Sequence, residues 1–439
     1  MEILIRIAQL FVSLSFLVMV HELGHFTFAK IFKTRVDKFY IFFNPWFSLF
    51  KFKPKNSHTE YGIGWLPLGG YVKISGMIDE SMDREQLLQE PKPYEFRSKK
   101  PWQRLIMILA GVFFNIILAF GIYSGILYTW GEQYLPMENL KYGVVCDSMA
   151  LKMGMQNGDK IISVDGEKIK KSTGMPVHIM LNMSKTIQVE RNGEIIDIAI
   201  TDDVIPHLIA GGMLISPRLP FVAGGFVDGS PAKEAGMQLG DKIIGIDTIK
   251  TNYFDQFRTA IAAYRDTTVA VTVLRDTQTV VLNVNIGNEG KIGVAASNNG
   301  IFELRTIEYG ILESIPAGIK KTVNFACDYI RQFKLLFKPE TKAYEAVGGF
   351  IAIGQIFPGT WDWYSFWTLT GFLSIMLAVL NVLPIPALDG GHAVFIIYEM
   401  ITKKRPSDRV LEIAQSLGLF ILFVLLVYAN GNDIIKLFQ

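Results

Sequence analysis

Four stretches of this chain are long and apolar enough to cross about 30 Å of hydrocarbon as helices of roughly 20 residues. They run from Ile3 to Phe32, Trp102 to Trp130, Tyr364 to Leu383 and Val410 to Ala429. A backbone that crosses lipid must satisfy its own polar groups in helices or a closed barrel, so most soluble folds are removed at once. Composition agrees: half of the 439 residues are hydrophobic, 19% are charged, and mean hydropathy is +0.29. Net charge is only +2, and Lys and Arg flank the apolar stretches instead of forming one basic face, which excludes a nucleic-acid-binding class. Cys146 and Cys327 fit neither a CxxC nor a Cys/His zinc spacing and read as packing residues.

Charge also predicts orientation. Lys33, Arg35, Lys38, Lys51, Lys53, Lys55, Arg97, Lys99, Lys100 and Arg104 lie between the first two stretches, and TKKRPSDR lies between the last two. Loops rich in Lys and Arg stay cytoplasmic, so both termini and the insert at about residues 131–362 are expected outside, in the periplasm of a bacterium. The first stretch has an acidic Glu2 and no small-x-small cleavage site, and it is expected to be retained as a membrane helix of the inner membrane.

The insert repeats itself. GMQNGDKIISVDG (154–166) recurs as GMQLGDKIIGIDT (236–248), each followed by alternating apolar strands such as TTVAVTVLRDTQTVVLNVNI. The copies resemble PDZ domains of the bacterial protease type; GSPAKEAGMQLGDKIIGID in the second carries the match, while the first lacks the Ser-Pro-Ala turn. Such domains take an extended peptide as an added strand. The alternative is that they are inert spacers.

FLVMVHELGHFTFAK (16–30) places ionisable groups inside the first apolar stretch, where a carboxylate costs at least about 2.5 kcal/mol. His21 and His25 stand at i and i+4 on a helix, so both imidazoles share one face and can hold one metal ion. Glu22 can then act as general base toward water at that metal, the HExxH arrangement. A catalytic zinc takes three protein ligands, and the third must come from elsewhere. In NVLPIPALDGGHAV, Pro384 and Pro386 break the third helix and Asp389 follows. His392 shares a helical face with Asp389, and spacing alone leaves both open, with a supporting or packing role also open to His392.

HELGHF in the first stretch, GVFFN (111–115) in the second, NVLPIPALDGGH in the third and the tandem insert together resemble the site-2 protease family of intramembrane zinc metallopeptidases. The resemblance covers essentially the whole chain. It implies a zinc held by His21, His25 and Asp389, cleavage of single-span membrane substrates within the membrane, and envelope-stress signalling through an anti-sigma factor, with remnant signal peptides as further substrates. One departure is Phe350 in VGGFIAIGQ, where relatives usually carry proline.

The expected fold class is an α-helical membrane protein of four transmembrane helices with a membrane re-entrant β-hairpin sheet and tandem α+β PDZ domains between helices 2 and 3. The boundaries expected are a first helix over 1–32, a cytoplasmic loop over 33–100, a second helix over 101–130, and PDZ domains over 131–220 and 221–300. Amphipathic periplasmic helices follow over 301–362, then a third helix with the LDG motif over 363–402 and a fourth helix with the C-terminus over 403–439. In the loop, FYIFFNPWFSLFKFK (39–53) and YGIGWLPLGGYVKISGM (61–77) read as hairpins whose open edge could pair with an unwound substrate, or as a surface hairpin packed on the bundle. Gly62, Gly64 and Asn381 are candidates for substrate contact, while Asn115 reads at least as well as interhelical packing. The run at 314–338 has helical periodicity with interleaved Lys and Arg and is expected to lie on the outer membrane face.

Two other classes compete with the protease. A zinc transporter would show several polar helices and repeated halves, whereas here the polar residues converge on one site. A PDZ scaffold with a vestigial metal site would not need Glu22.

Overall fold

The computed structural model describes residues 1–66, 69–77, 90–298 and 300–438. The chain divides into two compact units: Met1–Glu132 with Glu308–Phe337 and Tyr344–Gln439, and Gln133–Ile307 with Lys338–Ala343.

The first unit is built on four helices, Glu2–Ile31, Pro101–Trp130, Trp363–Val382 and Asp408–Leu437, all long and apolar enough to span a membrane. We call them the first to fourth spans. The second span is central, because the first and third spans and two further helices, Ile311–Leu336 and Asp389–Thr402, all pack on it. Small residues set the closest approach. A Cβ on Gly24 of the first span would run into the Ala110 carbonyl of the second, so backbone meets backbone there. Buried hydroxyls tie the bundle further: Thr370 Oγ1 donates to Ser13 Oγ (3.0 Å) and Ser374 Oγ donates to the Asn115 carbonyl (2.8 Å).

Two sequence expectations change here. The amphipathic helix, Ile311–Leu336, packs along the second and third spans instead of lying apart on a membrane face. Gly318 abuts Ser124, Phe325 meets the Tyr123 ring and Tyr329 meets Phe372. Ser314, Gly318 and Thr322, at intervals of four, form the small buried stripe that permits this. The third span stops at Val382, beside the predicted break at Pro384 and Pro386, and the LDG motif opens a separate helix, Asp389–Thr402. The second change is at the fourth span, which runs past Ala429 to Leu437 because its polar end docks a short helix, Phe350–Ile356: Asp433 Oδ2 accepts from Gly349 N (3.0 Å) and Ala352 N (2.9 Å), and Asn430 Oδ1 accepts from Phe350 N (3.3 Å). Proline at position 350 would have no N–H to give.

The loop between the first two spans forms one four-stranded mixed sheet: β1 (Val36–Ile41), β2 (Phe43–Phe52), β3 (Glu60–Leu66) and β4 (Tyr71–Ile74), in the order β2-β3-β1-β4. β1 and β3 are parallel neighbours at the centre, so the two predicted hairpin segments interleave, with β2 and β4 as edges. Residues 67–68 and 78–89 of the predicted loop lie outside the described residues.

The second unit has two lobes with separate cores, one around Val144, Val164, Ile179 and Val189, the other around Phe221, Ile243, Val271 and Val284. The first lobe's sheet pairs Lys160–Val164, Thr186–Arg191 and Glu194–Ala199; the second's pairs Ile249–Lys250, Lys242–Ile246, Thr267–Arg275 and Gln278–Ile286. The repeated GDK segments make matching bonds. Arg191 grips Asp159 through two contacts of 2.7 Å and reaches the Gly154 carbonyl (2.9 Å), while Arg275 grips Asp241 (2.8 and 2.7 Å) and reaches the Gly236 carbonyl (2.9 Å). Between the lobes, Arg218 donates to both oxygens of Asp255 (3.0 and 2.9 Å) with its guanidinium 4.0 Å from the Tyr253 ring centroid.

Candidate metal centre

His21 and His25 project from one face of the first span toward the second and are buried. Asp389 reaches them from the other end of the chain. The third span ends at Val382, a turn containing Pro384 and Pro386 reverses the chain, and Asp389 opens the next helix. Glycines make that reversal compact, since a Cβ on Gly390 would strike the Leu383 and Val382 carbonyls and one on Gly391 the Ile385 carbonyl. Ala387 takes φ +88°, a left-handed conformation that costs an alanine roughly 1 to 2 kcal/mol. The fourth span holds the turn from outside: a Cβ on Gly418 would fall on the Pro386 carbonyl.

The ligand atoms of His21, His25 and Asp389 all lie within 4.8 Å of one another. The two Nε2 atoms are 3.2 Å apart, and Asp389 Oδ2 is 3.2 Å from His21 Nε2 and 3.5 Å from His25 Nε2. That Oδ2 is buried without a hydrogen-bond partner. His25 Nδ1 donates to the Met107 carbonyl (2.9 Å), so its Nε2 carries the lone pair toward the cluster. Two imidazole nitrogens and an orphaned carboxylate oxygen converging on one point fit a divalent cation with nitrogen and oxygen ligands, zinc among them.

The cluster opens on a cavity of about 650 Å³ whose wall includes Glu22, Asn381 and His392. His392 thus stands beside the ligands and not among them. The sheet forms another wall through Leu66 and all of β4, from Tyr71 to Ile74, with Lys38 and Lys73 as cationic members. Gly62 and Gly64 do not reach it. The sheet itself uses their missing side chains, because a Cβ on Gly62 would enter the Tyr40 ring and one on Gly64 the Phe43 carbonyl.

The second span's contribution is what spacing did not supply. Met107, Gly111 and Asn115, at i, i+4 and i+8, face the two histidines: Met107 holds His25, the Asn115 amide lies 3.2 Å from His21 Nδ1, and a Cβ on Gly111 would stand 2.5 Å from His25 Nε2 and 2.7 Å from His21 Nε2. The signal was present as a period of four matching that of the histidines.

The model of Peptidase family M50 matches residues 9–425. The chain belongs to Peptidase family M50. Among its relatives, the Regulator of sigma E protease of Haemophilus influenzae is 28% identical over 457 aligned residues, covering all of both chains. A protein of Rickettsia conorii provisionally named a zinc metalloprotease is 26% identical, covering 99% of this chain and all of the relative. A similarly named protein of Neisseria meningitidis is 27% identical over 96% of this chain and 97% of its own length. With four apolar helices of spanning length, this M50 peptidase is a membrane zinc metalloprotease of the site-2 protease type.

Proposed function

We propose that this peptidase cleaves single-span membrane proteins within the bilayer, with zinc held by His21, His25 and Asp389 and with Glu22 as general base. The observation that carries the reading is the convergence of three ligand atoms, none more than 4.8 Å from another, on the wall of a cavity that Glu22 also lines. Zinc bound there supplies Lewis acidity, polarising the scissile carbonyl and acidifying the attacking water. Glu22, adjacent in sequence to the first ligand, takes a proton from that water and delivers it to the leaving amine.

A peptide bond inside a substrate's membrane helix is shielded until the helix unwinds, and the unwound strand leaves its backbone unsatisfied. β4 is an edge strand on the cavity wall, which supports its pairing with that segment through backbone hydrogen bonds. Asn381, also on the wall, is placed to take a further polar group. The opposite edge, β2, exposes Trp46, Phe47, Leu49, Phe50 and Phe52; in water such an edge invites aggregation, which supports a re-entrant sheet seated in lipid.

The name of the Haemophilus relative supports a place in sigma-factor signalling; the family resemblance adds an anti-sigma factor, after a first periplasmic cut, as the substrate of this reading, with remnant signal peptides as a second class. Lys and Arg in the two loops support periplasmic termini, with residues 133–307 outside as a tandem of PDZ domains that filters substrates by the bulk of their outer portion. Glu22→Gln tests the core of this reading. The purified variant should keep its zinc while cleavage of a model membrane substrate falls about 10²- to 10⁴-fold; near wild-type cleavage would remove Glu22 from the mechanism.

A further inference from the structure

We propose that Asn115 is a positioning residue for metal capture: its amide sets which nitrogen of His21 carries the proton. The proposal rests on the zinc reading above and extends it to a residue outside the ligand set.

The two histidines are steered differently. His25 Nδ1 meets a backbone carbonyl, which can only accept, so its tautomer is settled by the second span's main chain. His21 Nδ1 meets the Asn115 amide at 3.2 Å. An amide can turn either edge to the ring. With Nδ2 toward the ring, Nδ1 must accept and the proton moves to Nε2, the atom facing His25 and Asp389. The Asn115 Oδ1 is then left buried with no hydrogen-bond partner, in a residue with no solvent exposure. With Oδ1 toward the ring, Nδ1–H donates to it and Nε2 keeps the lone pair a metal needs; Nδ2 then takes the buried place without a partner, so hydrogen-bond satisfaction does not separate the two orientations and the metal decides. The second orientation puts two imidazole lone pairs 3.2 Å apart beside a carboxylate, an arrangement that a bound cation stabilises.

The backbone that carries the amide is held in place. Ser374 Oγ of the third span donates to the main-chain carbonyl of Asn115 (2.8 Å), and Gly111, one turn earlier, leaves the imidazoles room. Partners that accept a hydrogen bond from the remote nitrogen of a ligating histidine fix its tautomer and raise its basicity, and their loss costs about 10- to 100-fold in metal affinity.

The test is zinc affinity of the purified full-length protein in detergent, by competition with a chelating indicator, together with the visible spectrum of the Co²⁺-loaded form. Asn115→Leu preserves volume and removes the acceptor; it should bind zinc about 10- to 100-fold more weakly and show an altered Co²⁺ spectrum. Asn115→Asp keeps an acceptor at the same place and should bind zinc at least as tightly as wild type. Wild-type affinity and spectrum in Asn115→Leu would overturn the proposal, and so would loss of zinc in a folded Asn115→Asp. Should Asn115→Leu fail to fold, the zinc-induced rise in melting temperature of Asn115→Asp decides, retention supporting the role and loss overturning it. If the wild-type protein itself takes up no zinc, the metal reading fails instead, a distinct result.

Discussion

At the scale of single residues, the metal centre depends as much on missing side chains as on those present. Gly24 lets the first span touch the second, and Gly111 leaves space beside two imidazole nitrogens. Gly111→Ala is therefore expected to abolish zinc binding although alanine is the better helix former by about 1 kcal/mol. Metal analysis of the purified variant checks this, and a full equivalent of zinc would contradict it. His21, Glu22, His25 and Asp389 were legible in the sequence because two patterns are chemically restrictive: HExxH fixes one helical face, and an aspartate after a proline-broken span is costly unless used. The choice of Asp389 over His392 drew on resemblance to relatives, since spacing left both open. Asn115 was legible only as a buried amide in need of a partner. Which partner it finds depends on the rotation of one helix against another, and a single helix's pattern does not carry that.

Elements carry constraints that no residue shows alone. The first three spans were legible to within a residue or two from length and apolarity, while the fourth was cut short at Ala429; the helix Ile311–Leu336 was legible but its packing was not, because amphipathic periodicity says which face is buried and not against what. The stripe of Ser314, Gly318 and Thr322 was the available clue to a helix partner. Alternation likewise marked strands in the loop without showing that β1 and β3 run parallel. The fourth span touches no ligand, yet Gly418 packs on the turn that delivers Asp389. Gly418→Ala should displace that turn and weaken zinc binding at least tenfold, read by chelator competition; unchanged affinity would show that the turn holds without the fourth span. In the other unit, the Arg275 guanidinium holds the Asp241 carboxyl below the usual carboxylate range. A depressed carboxyl stabilises fully above its unfolded value, about pH 4, and loses that contribution as pH falls through the lower folded value. Calorimetry of the intact protein should show this unit's transition dropping only in acid, with a shallower pH slope in Arg275→Met; equal slopes in the two proteins would refute the assignment.

For the whole molecule, the division into two units bears on the proposed separation of chemistry from substrate selection. Every candidate catalytic group lies in the unit that contains the spans, and residues 133–307 add none of them. Deleting 140–300 should leave zinc content intact while permitting cleavage of substrates that keep a bulky outer domain. Cleavage that still discriminates by bulk would count against a filter. The catalytic groups are also far apart along the chain: Asp389 follows His25 by 364 positions. At about 5 to 20 residues per second, a ribosome needs on the order of 20 to 70 s to pass from one to the other. Throughout that interval the growing polypeptide holds two imidazoles without their carboxylate, so under the proposed ligation the metal set closes only after the part of the chain carrying Asp389 has been made.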